Sequence, residues 1–106
     1  MRLTDSSTTV TLALHGASLA EARRAIAATV RLAASRGRNS VRIVHGSSTS
    51  DPLARNATIK HVLEDMLYNH ALADVTDWVH FGDVTTLSLP VGRTVDRRTI
   101  SLRDVW

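Results

Sequence analysis

Two short aliphatic segments of this chain end on the same dipeptide. Val10-Thr11-Leu12-Ala13-Leu14 runs into His15-Gly16, and Val41-Arg42-Ile43-Val44 runs into His45-Gly46. Each is followed by a loop containing Ser or Thr and then by apolar residues at helical spacing. Two strand–loop–helix units in succession require parallel strands, because a parallel neighbour is reached only through a crossover connection. Parallel neighbours bring their carboxyl ends to one edge of the sheet, where open α/β sheets bind ligands. The pattern predicts two imidazoles, two glycines and a hydroxyl-rich loop on a single edge.

At 106 residues the chain fits one domain, and 43% apolar residues is too much for a disordered chain. Aromatic rings are few (Tyr68, Trp78, Phe81 and Trp106), so the core must rest on Leu, Ile, Val and Ala. The absence of cysteine excludes a disulfide framework and a thiolate metal site, and fits a reducing cytosol; a cytoplasmic location is expected. No apolar run approaches a membrane span, and Met1-Arg2-Leu3 opens no signal-peptide core. The formal charge is +3, and Lys60 is the one lysine among 13 basic residues. Arginine suits planar, bidentate phosphate contacts. This excess is compatible with nucleic acid binding and equally with an ordinary solvated surface.

Along the chain, residues 1–8 are polar and expected to be loose. Alternation from Thr9 predicts a strand, and Ser18-Leu19-Ala20-Glu21 reads as a capping box. The helix it opens carries Leu19, Ala22, Ile26, Val30 and Ala33 on one stripe, with Gly37 as its stop. Val41 to Val44 is the second strand. Gly46 to Ala57 is the longest loop, broken by Asp51-Pro52. A second helix, capped by Asn56 or Thr58, presents Ile59, Val62, Leu63, Met66 and Leu67 and ends at Asn69-His70. Val75 to Phe81 and Val84 to Leu89 read as antiparallel strands joined by a two-residue Gly82-Asp83 turn, with Pro90 as the stop. Residues 91–106 form a basic C-terminal extension with Arg93, Arg97, Arg98 and Arg103, in which Thr99-Ile100-Ser101-Leu102 forms an edge strand or a short arm. The order βαβαββ predicts an α/β two-layer sandwich, two helices on a small mixed sheet, with a basic tail.

This order and its punctuation resemble the Smr (small MutS-related) domain, which shares its fold with the C-terminal domain of translation initiation factor three. Two motifs carry the resemblance. The first is a strand ending Leu-Asp-Leu-His-Gly, here Leu12-Ala13-Leu14-His15-Gly16, before a capped helix. The second is an aliphatic strand running into His-Gly-x-Gly, here His45-Gly46-Ser47-Ser48. The match runs from Thr9 to Leu89 and makes residues 9–90 the Smr-like domain. The resemblance implies nucleic acid binding and, in some members, endonucleolytic cleavage of DNA or RNA. Three departures stand out. Ala13 replaces the motif aspartate, so no carboxylate is available there to orient His15 or hold a metal. Ser48 replaces the second glycine, and Asp51 to Ala57 lengthen the loop.

Phosphodiester cleavage needs a proton path and stabilisation of charge on the phosphoryl oxygens. Imidazoles serve the first near neutral pH, which makes His15 and His45 the catalytic candidates. Backbone N–H groups of a glycine-containing loop before a helix serve the second. The candidate phosphate-binding residues are Gly16, Gly46, Ser47, Ser48, Thr49 and Ser50, with Arg55 and Lys60 clamping by charge. Each His-Gly can also simply cap the sheet edge, its ring bonding a backbone carbonyl. His61, His70 and His80 are assigned no catalytic task, and Trp78 is assigned to packing. No cofactor is required. A divalent metal held by the two histidines with Asp51 or Asp83 is compatible with the spacing but not demanded by it. Hydrolase-elbow, phosphate-loop and Rossmann signatures are absent. The alternative is a non-catalytic domain with a degenerate nuclease site that binds a protein partner through its tail or an exposed helix.

Overall fold

A computed structural model describes residues 1–45, 55–90 and 95–106, the side chains of 55–58 excepted. The elements are β1 (Arg2–Asp5), β2 (Thr9–Ala13), α1 (Leu19–Ser35), β3 (Ser40–Val44), α2 (Arg55–Tyr68), β4 (Asp77–Phe81), β5 (Val84–Ser88) and α3 (Leu102–Val105). They build a mixed five-stranded sheet in the order β1-β2-β3-β5-β4. The β2–β3 pair is parallel, as the two strand–loop–helix units require, and every other pair is antiparallel.

Strand alternation sorts the sheet into two faces. Val10, Leu12 and Leu14, then Val41 and Ile43, then Leu87 and Leu89 are buried and form the core with Ala22, Ala25, Ile26, Val30 and Ala33 of α1 and Ile59, Leu63, Met66 and Leu67 of α2. Burying a Leu, Ile or Val side chain contributes about 1.5–3 kcal/mol each, which is what holds helices and sheet together. On the other face, Thr4, Arg42, Val79 and Phe81 are exposed and Thr11, Val44, Val84 and Thr86 half-buried.

The helix ends follow from local chemistry. Ser18 Oγ accepts from the Glu21 amide at 3.1 Å, and the Ser18 amide donates to Glu21 Oε1 at 2.9 Å, closing the expected capping box. At the other end Gly37 takes φ 73°. The Arg38 amide then reaches back to the Ala33 carbonyl and the Gly37 amide to Ala34, the double bond of a Schellman stop.

The element order is ββαβαββα, not βαβαββ, because both chain ends are structured. Residues 2–5, expected to be loose, pair antiparallel with β2 through Leu3↔Leu12 and Asp5↔Val10. The cause is an ion pair that spans the sequence. Arg38 and Asp5 are buried, with side chains 0% and 1% exposed. Arg38 donates from Nε to Asp5 Oδ1 at 2.9 Å and from Nη2 to Oδ2 at 2.8 Å, and its remaining N–H groups meet the carbonyls of Arg36, Asp96 and Arg98. The Ile100 amide donates to Asp5 Oδ2 at 2.8 Å. Residues 95–106 are thereby drawn onto the fold rather than left as a tail. Ile100 and Val105 join the core, and Trp106 stacks under the Arg24 guanidinium, 5.1 Å from the ring centroid. Thr99 to Leu102 is neither edge strand nor free arm: Ile100 is a core plug and Leu102 opens α3.

Candidate nucleic-acid interface

The parallel register pairs Ala13 with Val44, and the Leu14 amide extends the ladder by donating to the Val44 carbonyl at 3.0 Å. His15 and His45 therefore leave the sheet at the same edge, just past the ends of adjacent strands. Their settings then differ.

His15 is exposed at the tip of a tight turn, closed by the Ala17 amide donating to the Leu14 carbonyl at 3.2 Å. Gly16 holds the third turn position at φ 76°. A Cβ there would meet nothing within 4 Å, so the requirement is conformational rather than steric. The His15 carbonyl accepts from the N-terminal ammonium at 3.3 Å. The start of α1 follows directly, and the Glu21 carboxylate already occupies it. Hydrogen bonds from the Ser18 amide and hydroxyl hold that carboxyl below the ordinary carboxylate range, so it is charged near neutral pH. An anion arriving at this turn meets a like charge at the helix start.

His45 is buried, 2% exposed, and faces the β4–β5 hairpin. Its amide donates to the Asp83 carbonyl at 2.9 Å. Its Nε2 lies 2.9 Å from Thr85 Oγ1, and the same hydroxyl lies 2.6 Å from His80 Nδ1. The two imidazole centroids are 6.4 Å apart, near edge-on at 67°. His80 Nε2 in turn faces Glu64 Oε1 of α2 at 3.8 Å. A polar chain thus leads from His45 through the hairpin to a half-exposed carboxylate.

Sequence reasoning missed this chain and gave His80 no task. The signal was present in the hairpin. A two-residue Gly82-Asp83 turn pairs Phe81 with Val84 and so His80 with Thr85, on the face shared with Trp78 and Leu87. Gly82 at φ 61° occupies the first central position of that turn. What could not be read was that this polar pair lies beside His45, which depends on β5 pairing with β3 through Ile43↔Thr85.

Of the other candidates, Arg55 is the first residue of α2 and Lys60 lies half-buried five residues further on. Gly46, Ser47, Ser48, Thr49 and Ser50 lie outside the described residues, as does Asp51. Ala13 is half-buried on the uncovered face, paired across to Arg2. Among the described residues no three His, Cys, Asp or Glu side chains gather to hold a metal ion. A depression lined by Thr4, Asp5, Ser6, Thr9, Thr11 and Arg42 opens towards the amino end of β2, away from both histidines. No described helix is long and apolar enough to cross a membrane.

A family model for the Smr domain matches residues 12–83, about two thirds of the chain. The chain belongs to the Smr domain family. No curated protein and no solved structure gave a match. The matched span of this Smr domain holds both His-Gly dipeptides, α1, α2, β4 and the hairpin turn. The β1 strand and residues 95–106 lie outside it, as do Asp5 and Thr85, so the partners of Arg38 other than the Arg36 carbonyl, and the hydroxyl beside His45, come from beyond the matched span.

Proposed function

We propose that this Smr domain binds DNA or RNA phosphates at the edge where His15 and His45 leave the sheet, with Arg55 and Lys60 adding charge at the start of α2. One observation carries the reading: two adjacent parallel strands, paired in register, each run into a His-Gly dipeptide, within a domain of the Smr family. Ligands favour that edge in open α/β sheets, and a loop leading into a helix offers backbone donors to an anion. The α1 side of the edge is disfavoured for phosphate by the Glu21 carboxylate, which directs the anion towards the second His-Gly dipeptide.

Histidine-assisted phosphodiester cleavage is the chemistry that follows from this placement, with His45 as the proton-transfer group and His15 at the exposed tip. Ala13 favours binding over turnover, since position 13 supplies no carboxylate on the strand face it shares with His15. No metal is needed for the binding reading, and a cytoplasmic site of action accords with a cysteine-free chain.

Incubation of the purified protein with supercoiled plasmid and with structured RNA tests both levels. Retention on immobilised nucleic acid should weaken steeply between low and moderate salt, because phosphate contacts release counterions. Any cleavage should fall together in His15→Ala and His45→Ala proteins. An Ala13→Asp protein that nicks where the native one does not identifies a binder with a degenerate site. Absence of retention at low salt would instead support the protein-interaction alternative.

A further inference from the structure

We infer, building on the phosphate edge proposed above, that the uncovered sheet face beside that edge stacks unpaired nucleobases on Phe81, so that the domain favours single-stranded nucleic acid over duplex. The cross-strand register puts Ala13, Val44, Val84 and Phe81 in one row across β2, β3, β5 and β4. Leu12 and Ile43, one residue before Ala13 and Val44, point into the core, so this row faces away from α1 and α2. It runs along the carboxyl ends of β2 and β3, where the chain leaves towards His15 and His45. Ala13, at the position of the motif aspartate, keeps the row free of carboxylates. Ala13, Val44 and Val84 are half-buried, while Phe81 is 85% exposed on a strand at the open edge of the sheet. Phe81 is not an isolated surface ring: Val84 stands opposite it, and Val79, 61% exposed, lies two residues back on the same face.

Charge selects the occupant. One row further from the edge, roughly 7 Å along the strand, Arg42 stands exposed between Thr11 and Thr86. Arg2, also exposed, pairs with Ala13 at the other end of the apolar row. Among the described residues neither arginine forms an ion pair. Asp77 and Asp83 lie outside these two rows, at the start of β4 and in the hairpin turn. A flat ring in an apolar row, flanked by guanidinium groups and hydroxyls, matches a base carried on a phosphate backbone: the ring stacks the base and arginine holds the phosphate. The bases of a duplex are stacked on one another, so only unpaired bases can lie on Phe81. A second copy or another folded protein fits this face poorly. Four row residues, three of them half-buried, fall far short of the roughly 20–30 per side in a stable interface.

Phe81 is the one phenylalanine of the chain, so the full chain labelled at the phenylalanine ring reports on it alone. Titration with a short single-stranded oligonucleotide at low salt should move its ring protons upfield, the mark of a base lying over the ring. An abasic oligomer of the same length, which supplies phosphates without bases, should leave them in place, as should the matching duplex. Phe81→Ala, at an exposed position where folding is not at stake, should weaken single-strand binding about tenfold, while Phe81→Trp keeps it and duplex affinity changes little in either. Arg42→Gln should weaken single-strand binding and reduce its salt dependence by about one phosphate contact. Equal affinity for single strand and duplex, an unshifted ring in the single-strand complex, or a Phe81→Ala protein with native single-strand affinity overturns the inference and leaves phosphate binding standing. Failure to bind single strand, duplex and abasic oligomer alike overturns the proposed function and this inference with it. Self-association that Phe81→Ala abolishes, without single-strand binding, assigns the face to a second copy instead.

Discussion

A guanidinium removed from water must find an acceptor for each of its five N–H groups. Arg38 finds them in Asp5 and in three backbone carbonyls, and the pairing with Asp5 is bidentate. Removing one partner leaves the other charge buried and alone, so Arg38→Ala should cost about 3–5 kcal/mol in urea unfolding. The acid side of the pair makes a separate prediction. Burial pushes the Asp5 carboxyl up, but hydrogen bonds from Arg38, Ile100 and Ser7 outweigh it and hold the group at about 2, against an ordinary 3.8. A folded value below the unfolded one stabilises the fold fully above the unfolded pKa, and the contribution fades as pH falls through the folded one. Roughly 2 kcal/mol should therefore be lost between about pH 4 and pH 2. Urea midpoints measured from pH 6 to pH 2 check this: the gap between the native chain and Asp5→Asn should close in that window. A constant gap would contradict the assignment.

Elements end where the backbone can be turned, and the two long helices solve this with different residues. The α1 stop uses Gly37, whereas α2 ends with His70 at φ 56°, the Ala71 amide bonding the Met66 carbonyl and the His70 amide that of Leu67. The geometry is the same Schellman stop, but a histidine there bears the steric cost of a left-handed backbone. His70→Gly should raise stability by up to about 1 kcal/mol, read as a higher thermal midpoint with an unchanged fold. These local devices were legible in the sequence. The Ser18–Glu21 cap, the Gly37 stop, the Asn69-His70 end and the Gly82-Asp83 turn each rest on residues a few positions apart, and so did the parallel pairing implied by two strand–helix units. What escaped was set by distant partners. β1 exists because Asp5 meets Arg38, 33 residues away, and the Ile100 amide, 95 residues away. His80 matters because Thr85 lies 40 residues from His45 in sequence and 2.9 Å from it in space. No periodicity reports such contacts. The departures at the site were visible as residues, Ala13 above all, but not the burial of His45 or its exchange of His15 for a hairpin partner.

The whole molecule is held together at its ends as much as by the family-matched centre. β1, Arg38 and residues 95–106 close on one another at the side of α1, so the matched span depends on segments beyond it. A chain cut after Leu89 should lose the Ile100 and Val105 core contacts and two acceptors of Arg38, the Asp96 and Arg98 carbonyls. It should unfold at markedly lower urea than the full chain, a loss that a mobile tail would not produce. Charge is also unevenly placed. Arg23, Arg24 and Arg31 of α1 and Arg97, Arg98 and Arg103 of the C-terminal segment are exposed, while Arg23 and Arg98 are answered by Asp65 and Asp96. That basic side competes with the His-Gly edge as a landing place for phosphate. The most direct measurement is therefore residue-resolved: amide shift changes in the ¹⁵N-labelled chain titrated with short DNA and RNA at low salt. The account predicts the largest changes at residues 13–17, at His45 and in the first turns of α2, diminishing as salt is added. Changes confined to Arg24, Arg31 and the 97–103 segment, with His15, Gly16 and His45 unmoved, would contradict it.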